Sequence, residues 1–213
     1  MIIYCAADPV YFELYYNLWI GQLKKYYPEY DKLIALYKPT EEIIDRCKKD
    51  NVETIDVSDS LPENPTRNHF YLLRWINLPY QKNKLILETQ INCIARKKQP
   101  LPATINVEQW RVQRPKRDIL GGVSAAIFTP ESAEKVVQQA EIMLDNPPDT
   151  DHQMNMWQIN NLTQHQVKCE YQLREKDMKE EKSELPEWAY WLTARSAAVW
   201  SHEKKLEALT RYL

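Results

Sequence analysis

Short apolar runs and helically spaced apolar stripes take turns along this chain. Ile2 to Ala6 is an unbroken apolar run that reads as a buried strand, and Asp8-Pro9 breaks it. Tyr11, Leu14, Tyr15, Leu18 and Gln22 then recur at helical spacing until Pro28. Lys32 to Tyr37 predicts a second strand. Thr40 follows as an N-cap, with Glu41 and Glu42 where the helix dipole favours acids, and Ile43, Ile44 and Cys47 form the inner face. Val52 to Val57 predicts a third strand. The order β-α-β-α-β argues for parallel strands joined by crossover helices, hence an α/β domain with a mostly parallel central sheet flanked by helices.

The pattern loosens further on. Leu61 to Pro65 is a loop, and residues 68 to 77 predict a helix carrying Phe70, Leu73 and Ile76 inward. Leu85 to Leu87 is the next strand. Residues 96 to 117 read as irregular, and they are basic: Arg96, Lys97, Lys98, Arg111, Arg114, Lys116 and Arg117 face one acid, Glu108. A solvated loop is the favoured reading, and an anion-facing lid is the alternative. Ile119 to Phe128 holds Gly121-Gly122, a mark of a bulge or a close approach within a strand. Thr129-Pro130-Glu131 opens a helix whose stripe of Ala133, Val136, Val137, Ala140 and Met143 belongs to the core. Asp149 to Gln153 opens a short helix bearing Met154 and Trp157. Val167 to Leu173 predicts a strand, Arg174 to Glu184 a solvated charged connection, and Glu203 onward a final helix burying Leu206, Leu209 and Tyr212.

Composition narrows the functional classes. A chain of 213 residues with 44% apolar residues suits one domain with a real core. The net charge of −2 exerts no general pull on nucleic acid or anionic membrane. No apolar run nears the ~18 residues of a spanning helix, and Ile2-Ile3-Tyr4-Cys5 follows the first Met with no leader pattern, so a cytoplasmic location is expected. Cys5, Cys47, Cys93 and Cys169 are scattered, which argues for reduced thiols over a zinc site. Three glycines are too few for a glycine-rich phosphate loop, whereas 13 tyrosines and seven tryptophans offer rings for stacking as well as core.

Five constellations could carry chemistry. In an open α/β sheet, ligands bind beyond the carboxyl ends of the strands. Asp8 and Tyr11 follow the first strand; an acid there can accept from a nucleobase N–H and a ring can stack on the base, or Asp8 is simply an N-cap. Arg74 offers a planar fork to a phosphate or carboxylate, or is an exposed helix arginine. Glu88-Thr89-Gln90 ends an apolar strand, so Glu88 and Gln90 could hold Mg²⁺ or Mn²⁺, or begin a solvated loop. Asp151 and Gln153 open a helix, as a cap or as groups facing a reacting carbon. His202 could ligate a metal, and Lys204 or Lys205 could offset leaving-group charge, in what is otherwise a solvated helix start.

The order of these pieces resembles the nucleotide-sugar glycosyltransferases of the GT-A (Rossmann-like) fold. It is most similar to the retaining group of glycogenin-like and lipopolysaccharide galactosyltransferase-like enzymes. The similarity rests on Ile3 to Tyr11 with its Asp-x-x-Tyr, on Arg74 about a dozen residues before a strand-end acid, and on Gly121-Gly122 leading to Thr129-Pro130. Asp151-His152-Gln153-Met154-Asn155 and the late His202 with Lys204 or Lys205 complete it. The resemblance implies a single domain over 1–213, with 1–90 holding the nucleotide and 91–213 the acceptor. It implies transfer of a hexose from a UDP-sugar to an unidentified hydroxyl acceptor, assisted by Mn²⁺ or Mg²⁺. In that scheme Ala6, Asp8, Tyr11, Arg74, Thr89, Lys204 and Lys205 contact nucleotide or sugar. Glu88, Gln90 and His202 hold the metal, and Asp151 and Gln153 lie at the reacting centre. The family's paired aspartates are replaced here by Glu88-Thr89-Gln90, and the glycine between the late His and Lys is missing. These departures favour the alternative of a catalytically impaired module that binds a nucleotide or glycan.

Overall fold

The computed structural model describes residues 1–113, 125–148, 151–168, 170–174, 177–178, 184–194 and 200–213. The chain opens as the apolar pattern predicts: β1 (Ile2–Ala7), α1 (Pro9–Tyr26), β2 (Asp31–Leu36), α2 (Glu41–Lys49) and β3 (Glu53–Asp56). Local hydrogen bonds start the helices. The Asp8 carboxylate accepts from the Tyr11 N–H at 2.8 Å, and the Thr40 hydroxyl accepts from the Ile43 N–H at 3.3 Å. Each satisfies a backbone donor that the first helical turn leaves without a partner.

The helix expected over 68–77 is instead two short pieces, α3 (Arg67–Phe70) and α4 (Leu73–Ile76). Next come β4 (Ile86–Thr89), β5 (Ile94–Ala95), β6 (Gln109–Gln113), β7 (Ala125–Phe128), α5 (Pro130–Ile142) and α6 (Asp151–Asn161). The chain ends with β8 (Gln164–Lys168), β9 (Glu170–Leu173), β10 (Trp191–Ala194) and α7 (His202–Arg211). The expected irregular stretch over 96–117 therefore contains a strand, and the expected strand over 167–173 is two. Gly121-Gly122 lies outside the described residues.

Seven strands form one sheet in the order β3-β2-β1-β4-β7-β6-β8, and β5-β10-β9 form a second. β3, β2, β1 and β4 run parallel, β7 is antiparallel to both β4 and β6, and β6 pairs with β8 in parallel. The mixed α/β architecture with a mostly parallel central sheet is thus the expected one. Chain progress reverses at β1, with β2 on one side and β4 on the other, which opens a crevice at the carboxyl ends of these strands.

Alternation along the strands sorts the core into two layers. Ile3, Cys5 and Ala7 of β1 join Phe12, Tyr15, Tyr16, Trp19 and Leu23 of α1. Ile2 and Tyr4 join Leu73 and Trp75 of α4, Phe128 of β7 and Val136 of α5 on the other face. The second sheet leans on the first layer, with the Trp191 and Tyr27 rings stacked 5.5 Å apart. Cys5, Cys47 and Cys93 are buried. Among the described residues, no helix is long and apolar enough to cross a membrane.

Candidate functional site

A cavity of about 510 Å³ opens where the topology places a crevice. Ala6, Ala7, Asp8 and Tyr11, from the end of β1 and the start of α1, form one wall. Phe70, Tyr71, Leu73 and Arg74, from α3, α4 and the link between them, face them, and Thr89, Gln90, Ile91 and Asn92, at and beyond the end of β4, form the floor. The fold therefore gathers six of the residues picked from sequence: Ala6, Asp8, Tyr11, Arg74, Thr89 and Gln90. Asp8 is the helix cap and also borders the cavity.

β4 separates its polar residues by face. Glu88 is fully buried and pairs with Arg74, Nε to Oε1 at 3.3 Å. Thr89 turns the other way, where its hydroxyl accepts from the Trp19 indole N–H at 3.1 Å and lies 3.5 Å from the Tyr4 carbonyl. Arg74 is 9% exposed, borders the cavity, and lies 3.9 Å above the Trp75 ring. Register continues the polar row. Tyr4 stands opposite Glu88, Glu88 opposite Ala126, and Ala126 opposite Arg111. The small Ala126 side chain leaves this part of the sheet to its charged neighbours. Burial, with Cys5 and Glu88 nearby, holds the Tyr4 hydroxyl well above its usual range.

Arg111 was expected in a solvated basic loop. Instead it is 3% exposed on β6. Its guanidinium donates to the Asn155 carbonyl at 3.4 Å and the Asn155 Oδ1 at 3.3 Å. Burial, with repulsion from Arg74, pushes its pKa down to about 10, so it remains a cation at neutral pH. Gln109 donates to Gln158 in the same seam at 2.9 Å. The signal was in the sequence: Gln109, Arg111 and Gln113 alternate with Trp110 and Val112, a strand period obscured by flanking prolines and charge. The other described basic residues of the segment are tied down, Arg96 to the Ala189 carbonyl, Lys97 to that of Glu187, and Lys98 to Glu29. Arg114, Lys116 and Arg117 lie outside the described residues.

The C-terminal helix closes on α1. His202 Nδ1 lies 3.1 Å from the Tyr15 hydroxyl, and its ring meets Tyr11 edge-on at 5.3 Å. Lys204 lies over the Trp200 ring at 5.1 Å, and Lys205 is buried, which lowers its proton affinity. Asp151 opens α6, and Gln153 is exposed there. Asn92 went unnoticed in sequence. It lines the cavity, and its buried Oδ1 has no hydrogen-bond partner among the described residues. Asp177, expected on a solvated connection, is buried and accepts from the Tyr171 hydroxyl and the Arg174 N–H.

The expected divalent cation finds a poor donor set. Glu88, its single carboxylate, is buried on the α4 face with its charge offset by Arg74, whereas His202 packs against α1. Among the described residues, no three His, Cys, Asp or Glu side chains cluster as metal donors. Hard cations are held by several oxygen donors carrying net negative charge, and Glu88, Gln90 and His202 do not fit that requirement.

No protein-family profile matches the sequence, and no curated protein does. Solved structures do match by shape. An active-site mutant of LgtC superposes with a TM-score of 0.62 at 9% identity, covering 99% of this chain and 95% of that one. The chain has the GT-A fold. LgtC, identified as a galactosyltransferase in complex with donor and acceptor sugar analogs, gives a TM-score of 0.58 at 10% identity with the same coverage. The apo form of the glycosyltransferase GlyE of Streptococcus pneumoniae TIGR4 gives 0.56 at 9% identity over 77% of this chain, which spans 44% of the GlyE chain.

Proposed function

We propose that this protein transfers a hexose from a UDP-sugar to a hydroxyl acceptor. The observation that carries the reading is the cavity itself. It lies at the strand-order reversal of a glycosyltransferase fold, with Asp8 and Tyr11 on one wall and Arg74 on the other. Uracil stacks on Tyr11 beside Asp8, and the chain at Ala6 and Thr89 borders the ribose. The guanidinium of Arg74 receives the diphosphate through charge-assisted hydrogen bonds. The Asn92 side-chain oxygen, which has no partner among the described residues, accepts from a donor hydroxyl. Asp151 and Gln153, at the start of α6, are the residues assigned to the reacting centre, and Lys204 offsets charge on the departing UDP. Residues 1–90 supply the nucleotide half and 91–213 the acceptor half.

The test is UDP release from UDP-hexoses by the wild-type protein, offered simple hydroxyl acceptors, alongside a crystal soaked with UDP. Turnover with UDP between Tyr11 and Arg74 is the expected result. Nucleotide bound elsewhere, or no release from any UDP-hexose tried, overturns the assignment.

A further inference from the structure

We infer that the cavity takes the donor diphosphate without a divalent cation, on the Arg74 guanidinium, and that Glu88 is the positioning residue that aims this guanidinium. The inference rests on the glycosyltransferase reading above and departs from the metal-assisted scheme that the resemblance implies.

Three observations carry it. Glu88 occupies the strand-end position where a metal-binding acid was expected, yet it is fully buried and pairs with Arg74 at 3.3 Å. A carboxylate fully buried against a guanidinium is held toward that partner and away from the cavity lining, so it is not placed to ligate an ion there. Arg74 borders the cavity, and its group is fixed on two sides, by Glu88 and by the Trp75 ring 3.9 Å away. A planar donor held in this way suits an oxyanion without further reorganisation. Arg111 adds a second cation on the same face, in register through Ala126 and hydrogen-bonded to the neutral Asn155. Positive charge in a low-dielectric layer acts over longer distances than it would in water, so Arg111 reinforces the potential at the Arg74 wall. The other described charged group of the lining, Asp8, sits across the cavity with its carboxylate accepting from the Tyr11 N–H.

The experiment is calorimetric titration of the full chain with UDP and with uridine, in excess EDTA and again in excess Mn²⁺. UDP affinities agreeing within about threefold in the two buffers, with uridine binding at least about tenfold more weakly in both, are the expected result. Arg74→Met removes the difference between UDP and uridine while leaving uridine binding in place. Glu88→Gln weakens UDP and not uridine, by the same factor in both buffers, and Glu88→Asp restores part of the loss. A gain of about tenfold or more on adding Mn²⁺ that Glu88→Gln abolishes makes Glu88 a metal ligand; the inference then fails and the glycosyltransferase reading stands. Absence of UDP binding in both buffers overturns the two together.

Discussion

On one face of the central sheet, α1 lays down Phe12, Tyr15, Tyr16, Trp19 and Leu23 against Ile3, Cys5 and Leu87. On the other, a seam of Tyr4, Glu88, Arg74, Arg111 and Asn155 runs beneath α4 and α6, among apolar residues such as Trp75 and Phe128. The first face is the kind of filling that stabilises a fold through buried area. A buried ion pair gives no such assurance, because desolvation can cancel its attraction. What the seam supplies is aim: it holds a guanidinium at the wall of the cavity. Both faces end at the same cavity, one contributing Asp8 and Tyr11 and the other Phe70, Tyr71 and Arg74.

The comparison can be broken from either side. Trp19→Ala empties a site that is 1% exposed and removes the indole donor to Thr89. It should lower the free energy of unfolding by about 3–5 kcal/mol in urea titrations. Arg74→Met leaves the Glu88 carboxylate buried without its guanidinium, at a cost on the order of 3 kcal/mol. Adding Glu88→Gln should recover more than half of that loss, and strict additivity of the two changes would show that the pair is not a unit. Tyr11→Ala touches the cavity more than the core. It should weaken UDP binding about tenfold while changing unfolding by less than about 1 kcal/mol.

The smallest effect lies at the rim of the polar face, where Glu108 bonds Lys135 and accepts from the Thr163 N–H at 2.9 Å. The Lys135 hydrogen bond first, and the Thr163 backbone next, hold its carboxyl below the usual range. A depressed folded pKa means stability that is present above the unfolded value and lost as pH falls through the folded one. Glu108→Gln should therefore cost no more than about 0.5 kcal/mol near neutral pH, because solvent screens this rim pair. Its melting temperature should converge on that of the wild type in acid, as thermal scans across pH would show.

The readable parts of the fold share a cause. β1, α1, β2, α2, β3 and α5 were visible because strand alternation, helical spacing and the Asp8, Thr40 and Thr129 caps act between neighbours in the chain. The split of 68–77 into two short helices and the strand at 109–113 were not. The first packs to its surroundings more than to its own periodicity, and the second carries an arginine inward.

Residue order alone determined the parallel start of the sheet and placed Ala6, Asp8, Thr89 and Gln90 at strand ends and Tyr11 in the first turn of the next helix, where any α/β crevice must form. Only tertiary structure decided that Glu88 faces Arg74 beneath α4, that His202 lies on Tyr11 and Tyr15, and that Arg111 is buried on Asn155. A charged side chain can enter the interior only beside groups that compensate it. Those partners come from distant segments, so local pattern carries no record of which way the charge will turn.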